Sequence, residues 1–320
     1  MKAVTRSKYG DASVIDIIEM DVPNPKDHEI LIRVHATTVN RTDCAILTGK
    51  PFIMKLLLGI RSPKHSFLGT DFAGEVVEVG SGVTKFKKGD RVWGFEDNGA
   101  LGSQAEYMTI HKDKTILTIP DEVSYEVAAA SPEAGHYGYN FINKIQIVPG
   151  QKILVNGGTG AIGAATIQFL KHHGVEVTAT CRKEHFDLVK KLGAAHVIDY
   201  ENDDFTTTSE KYDHIFDTVG KSTFGKCKPL LKPKGKYISS ELGPGGQNIL
   251  LMMTTSLTGG KRCQIAIPVK PLESLGEIHE LWLSKEFSPL IDRTYPMDQI
   301  KEAYTYVASG KKVGNVVIKY

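Results

Sequence analysis

Three glycines in the middle of the chain have the spacing of a dinucleotide-binding turn. They form a GxGxxG pattern within the run VNGGTGAIGAATIQFLKHHG. Glycine at the first two positions lets the backbone turn sharply and approach a pyrophosphate, and glycine at the third lets a helix pack closely on the preceding strand. Free N–H groups at the start of that helix can bind the anion. The pattern predicts nucleotide binding by Gly158, Thr159, Gly160, Ala161, Ile162 and Gly163.

A GxGxxG pattern alone is weak evidence, since a glycine-rich turn can exist without a ligand. Here the apolar residues 153–155 precede the turn, and apolar residues at helical spacing follow it. A second helix is predicted over 186–192. Further apolar segments predict strands at 175–180, 195–198, 212–216 and 236–239. Strands that alternate with helices are typical of a doubly wound parallel sheet, so the sequence predicts a Rossmann domain.

The end of the second predicted strand bears on which dinucleotide binds. Sites that prefer NAD usually place Asp or Glu about twenty residues beyond the glycines, where it accepts hydrogen bonds from the ribose. This chain has Thr180, Cys181, Arg182 and Lys183 there, and the next acid is Glu184. Arg182 can hold a 2′-phosphate through two hydrogen bonds, and Lys183 adds a point charge. The pattern favours NADP(H) over NAD(H), although two bases at a strand end can also be simply solvated.

Composition limits the other functions of the 320 residues. Lys and Arg number 39 against 37 Asp and Glu, and no basic run is interleaved with aromatic residues, so we expect no nucleic-acid partner. The apolar stretches 53–60 and 249–257 are shorter than the roughly 20 residues of a spanning helix, so we expect no stable membrane insertion. Residues 1–10 lack the apolar core of a signal peptide, and the four cysteines form no CxxC pair. These features favour a cytoplasmic protein.

The segments on both sides of the predicted Rossmann domain must form a second domain. Residues 1–118 contain short apolar alternations separated by glycine and aspartate turns, which predict a mostly β domain. Residues 314–319 predict a further strand that can return to it. We therefore expect a cofactor domain at 121–261, inserted in a catalytic domain made of 1–120 and 262–320.

Several motifs resemble, in the same order, those of the medium-chain dehydrogenase/reductase superfamily. They are NRTD at 40–43, GTDFAGEV at 69–76, GSGV at 80–83, FKKGDRV at 86–92 and the glycine turn. The chain is most similar to the zinc-free quinone oxidoreductase branch, which includes enone reductases and the reticulon-4-interacting protein. The resemblance implies an α/β fold in which a Rossmann domain is inserted in a GroES-like catalytic domain. It also implies an enzyme that transfers hydride from NADPH to quinones or α,β-unsaturated carbonyl compounds.

The resemblance also identifies where the zinc-dependent members hold their metal. The first two ligand positions are Asn40 and Thr70 here, residues 131–143 lack the third ligand, a cysteine, and 94–105 lack the cysteines of the structural lobe. Zinc sites of this kind need His and thiolate ligands, so we expect no bound metal. Oxidation of simple alcohols is hard without a Lewis acid, whereas an electron-poor quinone or enone can accept hydride without one.

The resemblance assigns the remaining candidate residues. Asn40 and Asp43 border the nicotinamide and the substrate, where Asn40 can donate to a carbonyl oxygen or to the cofactor and Asp43 can instead brace the loop. Tyr137 stands where relatives usually carry threonine, and it is either a proton donor or a packed aromatic residue. Tyr200 lies against the adenosine or is a surface aromatic residue. Cofactor contacts are also implied for Thr180, Arg182, Lys183, Val219, Ser240, Leu242 and Asn315.

The sequence constrains the substrate and the oligomeric state less than it constrains the fold and the cofactor. Two loops carry apolar residues that favour a small apolar carbonyl or quinone substrate, although packing against one another is equally consistent. These residues are Phe52, Leu56, Leu57, Leu250, Met252 and Met253. The apolar segment 264–267, at the edge of the predicted sheet, favours a homodimer. Two other functions stay open: a zinc-free NAD(P)-dependent alcohol dehydrogenase, and an NADPH-binding interaction protein without catalysis.

Overall fold

The computed structural model describes residues 1–96 and 102–320, which form two compact units. Apart from 97–101, the first unit comprises Met1–Glu133, Leu275–Leu283 and Leu290–Tyr320. The second comprises Ala134–Ser274 and Ser284–Pro289. The second unit is thus inserted in the chain of the first.

Helices and strands cover most of both units. The strands are β1 Lys2–Arg6, β2 Ile15–Glu19, β3 Glu29–Val39, β4 Asp71–Val79, β5 Arg91–Phe95, β6 Tyr107–His111, β7 Ile116–Thr118, β8 Lys152–Asn156, β9 Glu176–Cys181, β10 His196–Asp199, β11 Tyr212–Asp217, β12 Leu231–Ser239, β13 Arg262–Ile265, β14 Ile291–Pro296 and β15 Asn315–Lys319. The helices are α1 Arg41–Thr48, α2 Ile53–Leu58, α3 Tyr125–Ala130, α4 Pro132–Ile142, α5 Ala161–His172, α6 Phe186–Leu192, α7 Phe224–Cys227, α8 Gln247–Ser256, α9 Pro271–Leu283 and α10 Ile300–Ala308.

A parallel sheet forms the centre of the second unit. Its strands lie in the order β10-β9-β8-β11-β12-β13, and each neighbouring pair is parallel. This is the 3-2-1-4-5-6 order of the Rossmann fold. The central strand β8 has Ile153, Leu154 and Val155 fully buried, as expected for a strand that is covered on both faces. The predicted Rossmann domain is confirmed.

The last two strands of this sheet, β12 and β13, differ from the sequence-based expectation. Strand β12 starts at Leu231, which pairs with Tyr212 before a register shift. Strand β13 pairs with β12 from Arg262 onward, so the sheet continues past residue 261, where we expected the cofactor domain to end. In β13, the polar residues Arg262 and Gln264 alternate with the buried residues Cys263 and Ile265. A strand of only four residues with this pattern is hard to recognise from the sequence.

A mixed sheet forms the core of the first unit. Its strands follow the order β14-β15-β3-β4-β5-β7, and β6 also pairs with β3. The pair β14–β15 is parallel and the other pairs are antiparallel. Strand β15, near the chain's end, pairs with β3, so these residues return to the N-terminal part as expected. Within 1–96 and 102–320, no helix is long and apolar enough to cross a membrane.

Candidate functional site

Asn40 and Asp43 together cap helix α1 in the first unit. The backbone N–H of Asp43 donates to Asn40 Oδ1 at 2.8 Å, and the backbone N–H of Asn40 donates to Asp43 Oδ2 at 3.0 Å. This reciprocal arrangement is a capping box, which satisfies two N–H groups that a helix start leaves without partners. The side chain of Asp43 is thus engaged in capping α1.

The side chain of Asn40 also ties α1 to strand β4. Its Nδ2 donates to Thr70 Oγ1 at 2.8 Å and lies 3.3 Å from Asp71 Oδ2. Thr38 Oγ1 donates to the same carboxylate oxygen at 2.6 Å. These contacts join residues that lie about thirty positions apart in the chain. The amide of Asn40 is thus engaged within the protein.

Three buried carboxyl groups surround this junction, and we call them the carboxyl cluster. Asp43, Asp71 and Glu133 are 0%, 2% and 4% exposed. Burial raises the pKa of Asp43 to about 7, and the Glu133 charge adds to the shift against hydrogen bonds from Asn40 and Thr70. Burial also raises the pKa of Asp71 well above its usual range, and the charges of Glu133 and Asp43 reinforce it. Asp43 is therefore partly protonated near neutral pH.

The carboxyl cluster does not have the grouping of a metal site. Across residues 1–96 and 102–320, no three His, Cys, Asp or Glu side chains are arranged so as to hold a metal ion. Neutral side chains make hydrogen bonds in and around the cluster. Thr42 Oγ1 donates to Glu133 Oε1 at 3.0 Å, and Gln104 links the backbone of Thr38 to the hydroxyl of Tyr304.

The glycine turn lies in the second unit, between β8 and α5. Helix α5 starts after Gly160 without a side-chain cap, so its first N–H groups are left for another acceptor. A Cβ atom added to Gly163 would lie 2.1 Å from the carbonyl oxygen of Gly157, which only glycine avoids. A Cβ atom added to Gly160 would meet nothing closer than 3.4 Å. The turn is therefore closely packed at Gly163, whereas space remains next to Gly160.

A series of hydrogen bonds connects the glycine turn to residues of the parallel sheet. The N–H of Gly157 donates to Thr180 Oγ1 at 3.0 Å, and Thr180 Oγ1 donates to Asn156 Oδ1 at 2.7 Å. Asn156 Nδ2 donates to Asp217 Oδ1 at 3.0 Å, and Tyr237 donates to Asp217 Oδ2 at 2.8 Å. These residues lie at or near the carboxyl ends of β8, β9, β11 and β12. They position the turn rather than line it.

Three residues of this site were not predicted from the sequence: Asn156, Asp217 and Tyr237. A signal was present in Asn156 and Asp217, because each is a polar residue that ends an otherwise apolar parallel strand. Ligands of doubly wound sheets bind at such strand ends. Tyr237 lies inside β12, and nothing in its local sequence points to Asp217.

Arg182 and Tyr200 meet where strands β9 and β10 end. Arg182 Nε donates to the hydroxyl of Tyr200 at 3.1 Å and lies 2.9 Å from Glu201 Oε1. A weaker contact joins Arg182 to Glu184 at 3.9 Å. Lys183 follows in an exposed turn. The structure thus brings the two predicted cofactor residues Arg182 and Tyr200 together and adds Glu201, which the sequence analysis missed.

The remaining predicted residues divide between the two units. In the second unit, Val219 lies beside the glycine turn, Ser240 donates its N–H to Asp217, and Leu242 accepts from Asn248. Tyr137 is half-buried on α4, with its ring edge-on to His136. In the first unit, Asn315 is buried and its side-chain amide donates to the carbonyl oxygen of Leu290 at 3.0 Å.

Most of the apolar residues considered for the substrate are exposed. Phe52 and Leu57 are each 65% exposed, and Leu250 and Met253 are 64% and 62% exposed. These side chains are therefore not packed away from solvent against one another.

Comparisons with known proteins connect these features to a family. Residues 26–121 match the family described as alcohol dehydrogenase GroES-like domain, and residues 192–318 match the one described as zinc-binding dehydrogenase. A quinone-oxidoreductase homolog from Spinacia oleracea is 30% identical over 100% of this chain and 98% of its own. An NADPH-dependent alkenal/one oxidoreductase from Arabidopsis thaliana is 29% identical over 99% of this chain and 79% of its own.

A solved structure extends the likeness to three dimensions. The quinone oxidoreductase of Coxiella burnetii has a TM-score of 0.88 with this structure and 27% sequence identity. The match covers 100% of this chain and 99% of that one. The predicted combination of a GroES-like domain and a Rossmann domain is confirmed.

Proposed function

The chain belongs to the quinone oxidoreductase branch of the medium-chain dehydrogenase/reductase superfamily, and we propose that it is an NADPH-dependent reductase of quinones or α,β-unsaturated carbonyl compounds. The names of the spinach and Arabidopsis relatives supply these two substrate classes, and the second names NADPH. The observation that carries the proposal is the braced glycine turn, with Arg182 at the end of the next strand.

The residues at this end of the sheet fit a phosphorylated dinucleotide. The open backbone above Gly160 and the uncapped start of α5 would receive the diphosphate, with contacts from Thr159, Ala161 and Ile162. Arg182 and Lys183 would hold a 2′-phosphate, and Tyr200 would lie against the adenosine. We assign the other cofactor contacts to Val219, Ser240, Leu242 and Asn315. Bound NADPH supplies the hydride.

The oxygen of the substrate needs a donor from the protein. That oxygen gains negative charge in the reaction, so a hydrogen-bond or proton donor stabilises it. Asn40 already donates to Thr70, so we assign it and Asp43 to positioning the loop. The Tyr137 hydroxyl is the candidate donor, and Tyr137→Phe separates this role from packing because it keeps the ring.

The expectation of zinc-free chemistry gains support from Asn40 and Thr70. They occupy the two positions where zinc-dependent members of the superfamily place ligands, and here an amide–hydroxyl hydrogen bond of 2.8 Å joins them. Neither group is a usual zinc ligand. Elemental analysis of the purified protein should find well under one zinc per chain, and stoichiometric zinc would contradict this assignment.

Location and assembly complete the proposal. We propose a cytoplasmic homodimer, with no nucleic acid among its partners. All four cysteines are free, as suits a reducing compartment, and β13 is an edge strand of the described sheet. The proposed substrate is a small apolar quinone or carbonyl compound.

The decisive experiment is NADPH consumption by the purified protein across a panel of quinones, enones and simple alcohols. We expect turnover with quinones or enones, and no NADP⁺ reduction by simple alcohols. Turnover of alcohols with NAD⁺ would support a zinc-free alcohol dehydrogenase instead. Tight NADPH binding without turnover of any panel member would support an interaction protein.

A further inference from the structure

A short segment of the first unit exposes an unusual number of large apolar side chains. Residues 50–67 contain α2 and the turns on each side of it, and Leu58 anchors the helix with 5% exposure. The other large apolar side chains of the segment, except half-buried Met54, are between 38% and 65% exposed. They are Phe52, Ile53, Leu56, Leu57, Ile60 and Phe67. Single exposed apolar residues are ordinary, but a group so close together indicates a binding surface.

Every formal charge in the segment is positive. Lys50, Arg61 and Lys64 are exposed, and Lys55 is half-buried. No Asp or Glu occurs between Asp43 and Asp71, and both of these are buried in the carboxyl cluster. The apolar side chains of 50–67 are therefore accompanied by cations that the segment itself does not neutralise.

The segment is fixed to the rest of the first unit. The hydroxyl of Tyr9 donates to the carbonyl oxygen of Gly59 at 2.7 Å, and the N–H of Arg6 donates to the carbonyl oxygen of Ser66 at 2.9 Å. The ammonium group of Lys55 lies 5.3 Å from the centre of the Tyr9 ring. The exposed side chains thus project from a preformed support, so binding through them loses little conformational entropy.

We propose that residues 50–67 dock the protein on the surface of a bilayer that contains anionic phospholipid. Leucine, isoleucine and phenylalanine side chains enter the boundary between headgroups and acyl chains, while lysine and arginine contact the phosphates. Charge complementarity selects an anionic bilayer over an uncharged apolar surface. An uncharged surface would leave the lysine and arginine side chains of 50–67 without anionic partners. A helix of six residues is far too short to cross the bilayer, so the docking is interfacial.

Docking does not require the proposed activity, because it uses the side chains of 50–67 and no contact with a nucleotide. It has a consequence for that activity. Apolar quinones partition into membranes, and a reductase docked on the bilayer meets them there. NADPH binding is measured without vesicles, so a failure of the proposed function and a failure of docking are separate results.

Vesicle sedimentation of the full chain tests the docking. We expect at least about tenfold stronger binding to vesicles with about 30% phosphatidylglycerol than to pure phosphatidylcholine, and loss of most binding at about 0.5 M NaCl. Equal binding to both kinds of vesicle, or binding to neither, would overturn the proposal.

Paired variants locate the surface. Leu56→Glu with Leu57→Glu should weaken binding to anionic vesicles by at least about tenfold. Arg61→Gln with Lys64→Gln should also weaken it, by roughly twenty-five-fold, since each base near the surface contributes roughly fivefold. Leu250→Glu with Met253→Glu, on similarly exposed α8, is the matched control and should bind as the parent does. Unchanged binding of the first two variants would place the surface elsewhere.

A fluorescence measurement keeps the test independent of folding defects. Trp93 and Trp282 are buried, so Phe52→Trp adds the one exposed tryptophan and keeps an aromatic ring. Its emission should shift to shorter wavelength when anionic vesicles are added, and should not shift with phosphatidylcholine alone. Emission that stays at the solvent-exposed wavelength while the protein is vesicle-bound would show that 50–67 does not enter the interface.

Discussion

Arg182 Nε lies 2.9 Å from the carboxylate of Glu201, which comes from the loop after the neighbouring strand. The guanidinium group that is proposed to bind a 2′-phosphate is thus held by an acid before any phosphate arrives. Both side chains are about half exposed. Glu201 therefore keeps Arg182 beside Tyr200. It also competes with the 2′-phosphate for the guanidinium group of Arg182.

Arg182→Ala with Lys183→Ala tests the role of the two bases. NADPH should bind the parent protein at least about tenfold more tightly than NADH, and the double variant should lose most of that preference because charge-assisted contacts to the phosphate are removed. Titration of both nucleotides by fluorescence or calorimetry measures it. Retained discrimination would move phosphate recognition to other bases, such as Lys190 or His185.

Glu201→Gln tests the competition directly. Removing the charge while keeping the side-chain shape should tighten NADPH binding by about three- to tenfold at low salt and leave NADH binding nearly unchanged. Glu210→Gln, an exposed acid elsewhere in the same unit, is the control. If Glu201→Gln weakens NADPH binding, the acid acts chiefly by positioning Arg182.

Gly163→Ala should damage both the fold and nucleotide binding. The added Cβ would lie 2.1 Å from the backbone oxygen of Gly157, so the turn must shift, at a cost of about 2–3 kcal/mol in the free energy of unfolding. Gly225→Ala is the matched control, because a Cβ there meets nothing within 4 Å. Chemical unfolding and NADPH titration measure the effects, and a Gly163→Ala protein as stable as the control would contradict the tight packing of the turn.

The sequence predicted some parts of the glycine turn and of the Asn40 region but not others. The difference depends on how far apart along the chain the interacting residues lie. The glycine turn and the helix after it form one local pattern, and the sequence predicted them. The hydrogen bond from Thr180 to Asn156 spans 24 residues, and that from Asn156 to Asp217 spans 61. Such contacts depend on strand register, which local pattern does not give. The same reason hid Glu201 and the bond between Asn40 and Thr70.

Asp43→Asn should change how stability depends on pH. The folded-state pKa of Asp43 is about 7, above the ordinary value of 3.8, so the protonated form is favoured in the folded protein. This stabilisation is fully present below about pH 4 and is lost as pH rises toward 7, at up to about 1.4 kcal/mol for each pH unit in that range. The free energy of unfolding should therefore fall less steeply over this range in Asp43→Asn than in the parent. An exposed Asp203→Asn control should keep the parental slope, and an unchanged slope in Asp43→Asn would contradict the raised pKa.

The proposed dimer makes a prediction about one edge of the parallel sheet. Strand β13 pairs with β12 on one side, and on its outer side the N–H of Cys263 donates to Thr255 of α8 at 3.0 Å. Helix α8 thus already occupies part of the outer edge. Because alternate residues of a strand face opposite sides, the N–H of Ile265 also points outward, where a second copy of β13 can accept it.

Ile265→Pro removes that donor and should weaken the dimer at least about tenfold without disturbing the glycine turn. Light scattering across a concentration series measures the association, and NADPH titration of the same variant shows whether the turn remains intact. Gln264→Thr, on the same strand, keeps every backbone donor and should remain dimeric. A parent protein that is monomeric at tens of micromolar would exclude the dimer, and a dimeric Ile265→Pro protein would place its interface away from β13.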